Sequence, residues 1–140
     1  MPAAGTVNVN VTNPDAQVAT LTNGYTYAEA PTVTTFAPTG GSTLGGTIVT
    51  VNGTNFGGAT TVTVGGTTCA PVVIVSASQL TCTSGAHGVG PVDLIVTNPV
   101  AQDATASAQY VYSLAPTATA ITPTGGPIAG NTSVQITGTN

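Results

Sequence analysis

The chain repeats itself. The stretch from Pro31 to Asn55 returns without a gap as Pro116 to Asn140, at an offset of about 85 residues. Gly5 to Tyr27 returns at the same offset as Gly90 to Tyr112. Over the paired spans roughly half the positions are identical, far above chance. The register predicts one complete module over residues 30–114. Residues 1–29 then read as the C-terminal strands of a preceding module, and 115–140 as the N-terminal strands of a following one.

The pattern inside the repeat is that of strands. From Thr6 to Val11 the residues alternate, with Val7, Val9 and Val11 on one face and Asn8 and Asn10 on the other. The second copy keeps the apolar face as Val92, Leu94 and Val96, and varies the other face to Asp93 and Ile95. A half-buried strand varies in this way. Asn13-Pro14 and Asn98-Pro99 close these strands, because proline has no N–H for a ladder. Tyr25 with Tyr27, and Tyr110 with Tyr112, again follow period two, and these rings are expected to be mostly buried. Further strands are expected at 32–36, 47–52, 60–64, 72–76 and 79–83. The pairs Gly40-Gly41, Gly45-Gly46, Gly57-Gly58 and Gly65-Gly66 read as turns between them. No segment shows a helical period with caps. Short strands separated by turns predict an all-β sandwich.

The joints are short. Ala28-Glu29-Ala30 and Ser113-Leu114-Ala115 are all that separate the last Tyr of one module from the first Pro of the next. So short a linker permits little swing, and tandem modules are expected to form a semi-rigid rod.

Charge narrows the partners. The chain has no Lys or Arg and four acidic residues, Asp15, Glu29, Asp93 and Asp103. Nucleic-acid binding rests on basic side chains, so it is not expected. Basic attraction to anionic lipid is missing too. No apolar run spans a bilayer, so no membrane insertion is expected. No basic region precedes an apolar stretch, so a signal peptide is not read, and a secreted chain would be represented by its mature portion. Thr supplies roughly a fifth of the residues and takes over much of the solubilising work of charge. Asn10, Asn52 and Asn131 head Asn-x-Ser/Thr patterns and are candidate N-glycosylation sites. Two cysteines, Cys69 and Cys82, fit one disulfide and not a disulfide scaffold.

The series Pro31, Pro38-Thr-Gly-Gly41, Gly45-Gly-Thr-Ile-Val-Thr-Val-Asn-Gly-Thr-Asn-Phe56, Val62-Thr-Val-Gly-Gly66, Cys69, Leu80-Thr-Cys82, Gly90, Val96-Thr-Asn98 and Tyr110 with Tyr112 resembles the IPT/TIG family. These are immunoglobulin-like domains of plexins, some transcription factors, bacterial surface proteins and polysaccharide-active enzymes. The resemblance covers the full module and both flanks. It implies immunoglobulin-like β-sandwich modules in tandem. It implies a core of Val49, Val51, Phe56, Val62, Val64, Leu80, Val92, Val96 and Tyr110. It also implies a disulfide between neighbouring strands, since Cys69 and Cys82 sit where members often carry one. DNA-binding members use basic loops, which this chain lacks. Fold alone assigns no activity.

Reactive groups are sparse. His87 is the only histidine. It lies in a glycine-rich stretch with no nucleophile and acid arranged around it, and reads as a surface loop residue. Asp93 should point outward, and Asp103 should lie in the loop after that strand. Two carboxylates can act as acid and base, but their counterparts in the other copy are Asn8 and Val18. Free thiols or zinc ligands are alternative roles for Cys69 and Cys82, yet two cysteines and one remote histidine make a poor zinc set. No catalytic residue, metal ligand or cofactor is expected, and the chain reads as no enzyme.

Repeat, stiff joints and inert chemistry together predict a structural unit of an extracellular or cell-surface protein, a stalk or filament. Its terminal strands should pack against other copies, by strand addition between chains or because one polymer continues past both ends. Covalent glycans are the other expected partner. The alternative reading is an adhesin or glycan-binding module, which calls for exposed aromatic platforms. A third is an accessory domain of a polysaccharide-active enzyme.

Overall fold

A computed structural model describes residues 3–57 and 60–140. The described residues form thirteen strands and no helix. Nine of these, β3 to β11, build a two-sheet sandwich. β3 (Thr32–Ala37), β5 (Ile48–Thr54), β9 (Gln79–Thr83) and β8 (Val72–Ser76) form one sheet in that order. β4 (Gly40–Ser42), β11 (Asp103–Ser113), β10 (Gly90–Thr97), β6 (Thr61–Val64) and β7 (Thr67–Thr68) form the other. Two separate hairpins flank the sandwich: β1 (Gly5–Thr12) with β2 (Val18–Tyr27), and β12 (Thr117–Thr122) with β13 (Gln135–Thr139).

Period two decides which side chains enter the core. Val49 and Val51 on β5, Val62 and Val64 on β6, Leu80 and Cys82 on β9, and Leu94 and Val96 on β10 are buried, while their neighbours along each strand are not. Phe36, Phe56, Cys69, Ala106, Tyr110 and Tyr112 complete the cluster. Of the expected core, only Val92 is partly buried; it packs against the cluster from the rim. Each fully buried Val or Leu removes enough apolar area to contribute about 1.5–3 kcal/mol.

Two strands depart from the sequence reading. Gly40 and Gly41 do not form a turn but lie in β4, which pairs in parallel with β11 from Val111 to Ser113. The chain leaves the first sheet at Pro38 and joins the second, so β3 and β4 act as one strand divided between sheets. A Cβ on Gly41 would strike Thr47 Oγ1 and the Tyr110 hydroxyl, so glycine there makes room for the ring. β7 was also not foreseen; two threonines are too short a signal. Gly45, Gly46, Gly65 and Gly66 do take positive φ, as turn glycines should. Of the pair Gly57-Gly58, Gly57 does not take positive φ and Gly58 lies outside the described residues.

The disulfide is formed, with S–S 2.07 Å and Cα–Cα 5.4 Å. Its placement corrects the expectation of a link between neighbouring strands. Cys69 follows β7 and donates its N–H to Val62 O at 2.9 Å, on the five-stranded sheet. Cys82 belongs to β9 of the four-stranded sheet. The bond therefore ties the two sheets together where the chain crosses between them.

Candidate functional site

The terminal hairpins reproduce the hairpins of the sandwich in backbone detail. β1 pairs with β2 as Gly5 with Tyr27, Val7 with Tyr25 and Val9 with Leu21, with a bulge between Val7 and Val9. β10 pairs with β11 as Gly90 with Tyr112, Val92 with Tyr110 and Leu94 with Ala106, with its bulge at the same place. The turns match as well, with positive φ at Ala16 and at Ala101. Even the rings agree: Tyr25 and Tyr27 stand edge to face at 5.0 Å and 67°, and Tyr110 and Tyr112 at 5.0 Å and 66°.

The second pair of hairpins matches equally. β3 on β5 and β12 on β13 share one register, with bulges at Val33/Thr35 and Ala118/Ala120. Thr32 and Thr54 hydroxyls meet at 2.8 Å, and Thr117 and Thr139 at 2.7 Å. Thr34 donates to Asn52 O and Thr119 to Thr137 O, both at 3.0 Å. Gly53 and Gly138 sit where a Cβ would collide with the carbonyl of Thr32 or Thr117. In each hairpin the strand opposite the bulge needs glycine at that point.

Burial is where the copies part. Tyr110 is fully buried and Tyr25 is 56% exposed. Leu94 is fully buried, and its counterpart Val9 is 39% exposed. Val51 is fully buried and Ile136 is 64% exposed. The expectation that all four tyrosines are mostly buried is therefore right for Tyr110 and Tyr112 and wrong for Tyr25 and Tyr27. The apolar face of β1 was likewise expected half-buried and is exposed. The cause is the same: the described chain provides no second sheet across from either terminal hairpin. Each end thus presents an apolar face shaped for a sandwich, with a free strand edge beside it.

The N-terminal joint is held by two asparagines. Asn98 is buried; its Oδ1 accepts the N–H groups of Val100 and Gln102, at 3.2 and 2.9 Å. Its Nδ2 donates to Gln102 Oε1 at 2.8 Å and across the joint to Glu29 O at 3.2 Å. Asn55 donates to Ala30 O at 2.9 Å. Asn140 makes the corresponding bond to Ala115 O at 3.3 Å. Beside the first joint lies an open cavity of about 350 Å³, lined in part by Tyr27, Glu29, Asn55 and Asn98. Sequence reasoning read Asn98 as a turn residue and Asn55 only as part of the repeat and the family pattern. Their recurrence in both copies was the available signal, but the carbonyls they hold are remote in sequence.

The remaining candidates have structural surroundings. His87 is half-buried and not a bare surface residue; its ring stacks on Tyr112 at 5.0 Å and its Nδ1 lies 2.9 Å from Gly88 O. The Tyr112 hydroxyl donates to Gly85 O at 3.0 Å. Burial, with Tyr110 alongside, pushes that hydroxyl above the ordinary tyrosine range. Asp93 is exposed, as expected. Asp103 is not in a loop; it opens β11 opposite Thr97. Four residues of strand separate Thr97 from Asp93, about 13 Å, too far for an acid–base pair. Among the described residues no three His, Cys, Asp or Glu side chains cluster as metal ligands. No described helix is long and apolar enough to cross a membrane. Of the sequons, Asn10 and Asn131 are exposed. Asn52 is engaged, donating to Thr35 Oγ1 at 3.3 Å and accepting from Gln79 Nε2 at 2.9 Å.

Comparison with known proteins agrees with this architecture. The family model described as IPT/TIG domain matches residues 31–113. The extracellular region of plexin A4 superposes with a TM-score of 0.61 at 27% identity, over 98% of this chain and 12% of that one. An auxiliary nutrient binding protein from Bacteroides ovatus ATCC 8483 superposes with a TM-score of 0.50 at 28% identity, over 65% of this chain and 22% of that one. SGBP-B from a complex xyloglucan utilization locus in Bacteroides uniformis shares the fold, with a TM-score of 0.53 at 22% identity, over 79% and 31% of the two chains. The chain thus spans 12% to 31% of the length of these three proteins. No curated protein sequence matches it.

Proposed function

Because the chain belongs to the IPT/TIG domain family, we propose that it is a non-catalytic structural unit of an extracellular or cell-surface protein, working as one length of a stalk or filament. Residues 30–114 are the module, and 1–29 and 115–140 are strands of its neighbours. The observation that carries this reading is the pair of terminal hairpins, built like those of the sandwich but with their core faces open. The asparagine-held joint supports a restricted angle between successive units. The disulfide suits an oxidising compartment, in keeping with the plexin A4 neighbour, which is an extracellular region. N-linked glycan is proposed on Asn10 and Asn131. Asn52 is less suited, because its side chain is tied into the sheet by Thr35 and Gln79. Electron microscopy and sedimentation of the purified chain test the reading. Rods or fibres that grow with concentration are expected, and a monodisperse monomer up to millimolar concentration sinks it.

A second reading has its own observation. Tyr25 and Tyr27 are exposed and the cavity at the joint adjoins Tyr27. A glycan-binding module would use such rings as stacking platforms, and the Bacteroides ovatus neighbour is a nutrient binding protein. Titration with β-glucan oligosaccharides, read by tyrosine fluorescence, tests it. No change at millimolar sugar ends this alternative.

A further inference from the structure

We infer that the β12–β13 hairpin of one copy closes over the β1–β2 hairpin of the next, so that copies join head to tail. This rests on the self-assembling reading above and names its contact. The contact is drawn inside the chain itself. In the sandwich, β3 and β5 face β10 and β11 across one core, and Phe36 lies 6.3 Å from Tyr110, ring to ring. Ile121 is the counterpart of Phe36, and Tyr25 of Tyr110, and both are exposed. One copy therefore carries both halves of a contact whose geometry its own middle already displays.

A second observation gives the same pairing. β4 is a strand because β11 lies beside it. Its counterpart, residues 125–127, forms no strand, and the matching edge at residues 26–28, where β2 ends, is open among the described residues. Bringing the C-terminal hairpin of one copy onto the N-terminal hairpin of another supplies that parallel partner. Stacking two N-terminal hairpins together does not. Charge does not oppose the contact, since residues 115–140 carry no ionisable side chain. The two surfaces differ, so the contact is heterologous, and it propagates as a filament when the rotation from copy to copy does not close a ring. The junction lacks counterparts of β6 to β9 and of the disulfide. It is weaker than the module, so assembly follows concentration.

The test is a chain carrying both Tyr25→Cys and Ile121→Cys, treated with a short bis-maleimide. Both native cysteines are already bonded, so no other thiol reacts. A ladder of covalent oligomers is expected from the double variant, and single bands from each variant alone. Melting of the sandwich should match wild type in all three. Ile136→Asp, on the C-terminal face, should weaken association about tenfold or more by burying an unpaired charge. Efficient dimers from Tyr25→Cys alone would overturn this pairing and leave self-association standing. No cross-link, with sedimentation as a monomer at every concentration, would overturn both and assign the open faces to another occupant.

Discussion

The β1–β2 and β10–β11 hairpins share about half their residues, one register, one bulge and one ring geometry. Yet Tyr110 is wholly buried and Tyr25 is mostly in solvent. Hairpin shape is thus local: it follows from the Asn-Pro turn, the bulge and the alternation. Burial is a property of company. β10 and β11 have β6 on one edge, β4 on the other and a second sheet across the core. Among the described residues, β1 and β2 pair only with each other.

That contrast can be broken or sharpened by experiment. The largest effect should come from Tyr110→Ala, which opens a cavity in a closed core and should cost about 4 kcal/mol in denaturant unfolding. Tyr25→Ala in dilute monomer should cost less than about 0.5 kcal/mol. Equal losses would mean that the N-terminal hairpin is already packed in solution, and the contrast would collapse.

Removing the disulfide comes next. Neither terminal hairpin includes a copy of Cys69 or Cys82, so the bond belongs to the sandwich alone. Cys69→Ala with Cys82→Ala should lower sandwich stability by about 3 kcal/mol, given a sequence separation of 13. Amide exchange in β1 and β2 should not change. Faster exchange there would show that the hairpin leans on the sandwich.

Asn98→Ala should have a smaller and mixed effect, about 1–2 kcal/mol from N–H groups left without their acceptor. It should also loosen the joint, read as a broader inter-unit angle in small-angle scattering. Asn13→Ala, its counterpart, should leave the joint unchanged. The smallest effect is alkaline. The folded Tyr112 hydroxyl titrates above its unfolded value of about 10. Its contribution to stability is whole below pH ~10 and is lost as pH rises through the folded value. Tyr112→Phe should flatten that limb of a melting-temperature profile; an unchanged limb would place the alkaline loss elsewhere.

Much of the fold was legible because it is written in short-range pattern. The family resemblance implied a core containing Val49, Val51, Val62, Val64 and Leu80, and all five are there. The expected strands at 72–76 and 79–83 coincide with β8 and β9. β4 was illegible for the opposite reason. Its residues are Gly40, Gly41 and Ser42, with turn-like local preferences, and only the parallel edge of β11 makes them a strand. The disulfide's span between sheets was hidden in the same way, since spacing says nothing of which sheet a strand joins.

The candidate site shows the same division. The repeat exposed both copies of each hairpin and the asparagines at their ends, since duplication is visible in one dimension. It could not show that Asn98 reaches Glu29 or that Tyr25 stands uncovered. By itself the sequence determined the alternation, the turns and the period, because those depend on neighbours along the chain. Only the tertiary structure decided which faces are covered and which carbonyls are held. Burial and long-range hydrogen bonds need groups brought together from far apart, and the described residues bring no second sheet over either terminal hairpin.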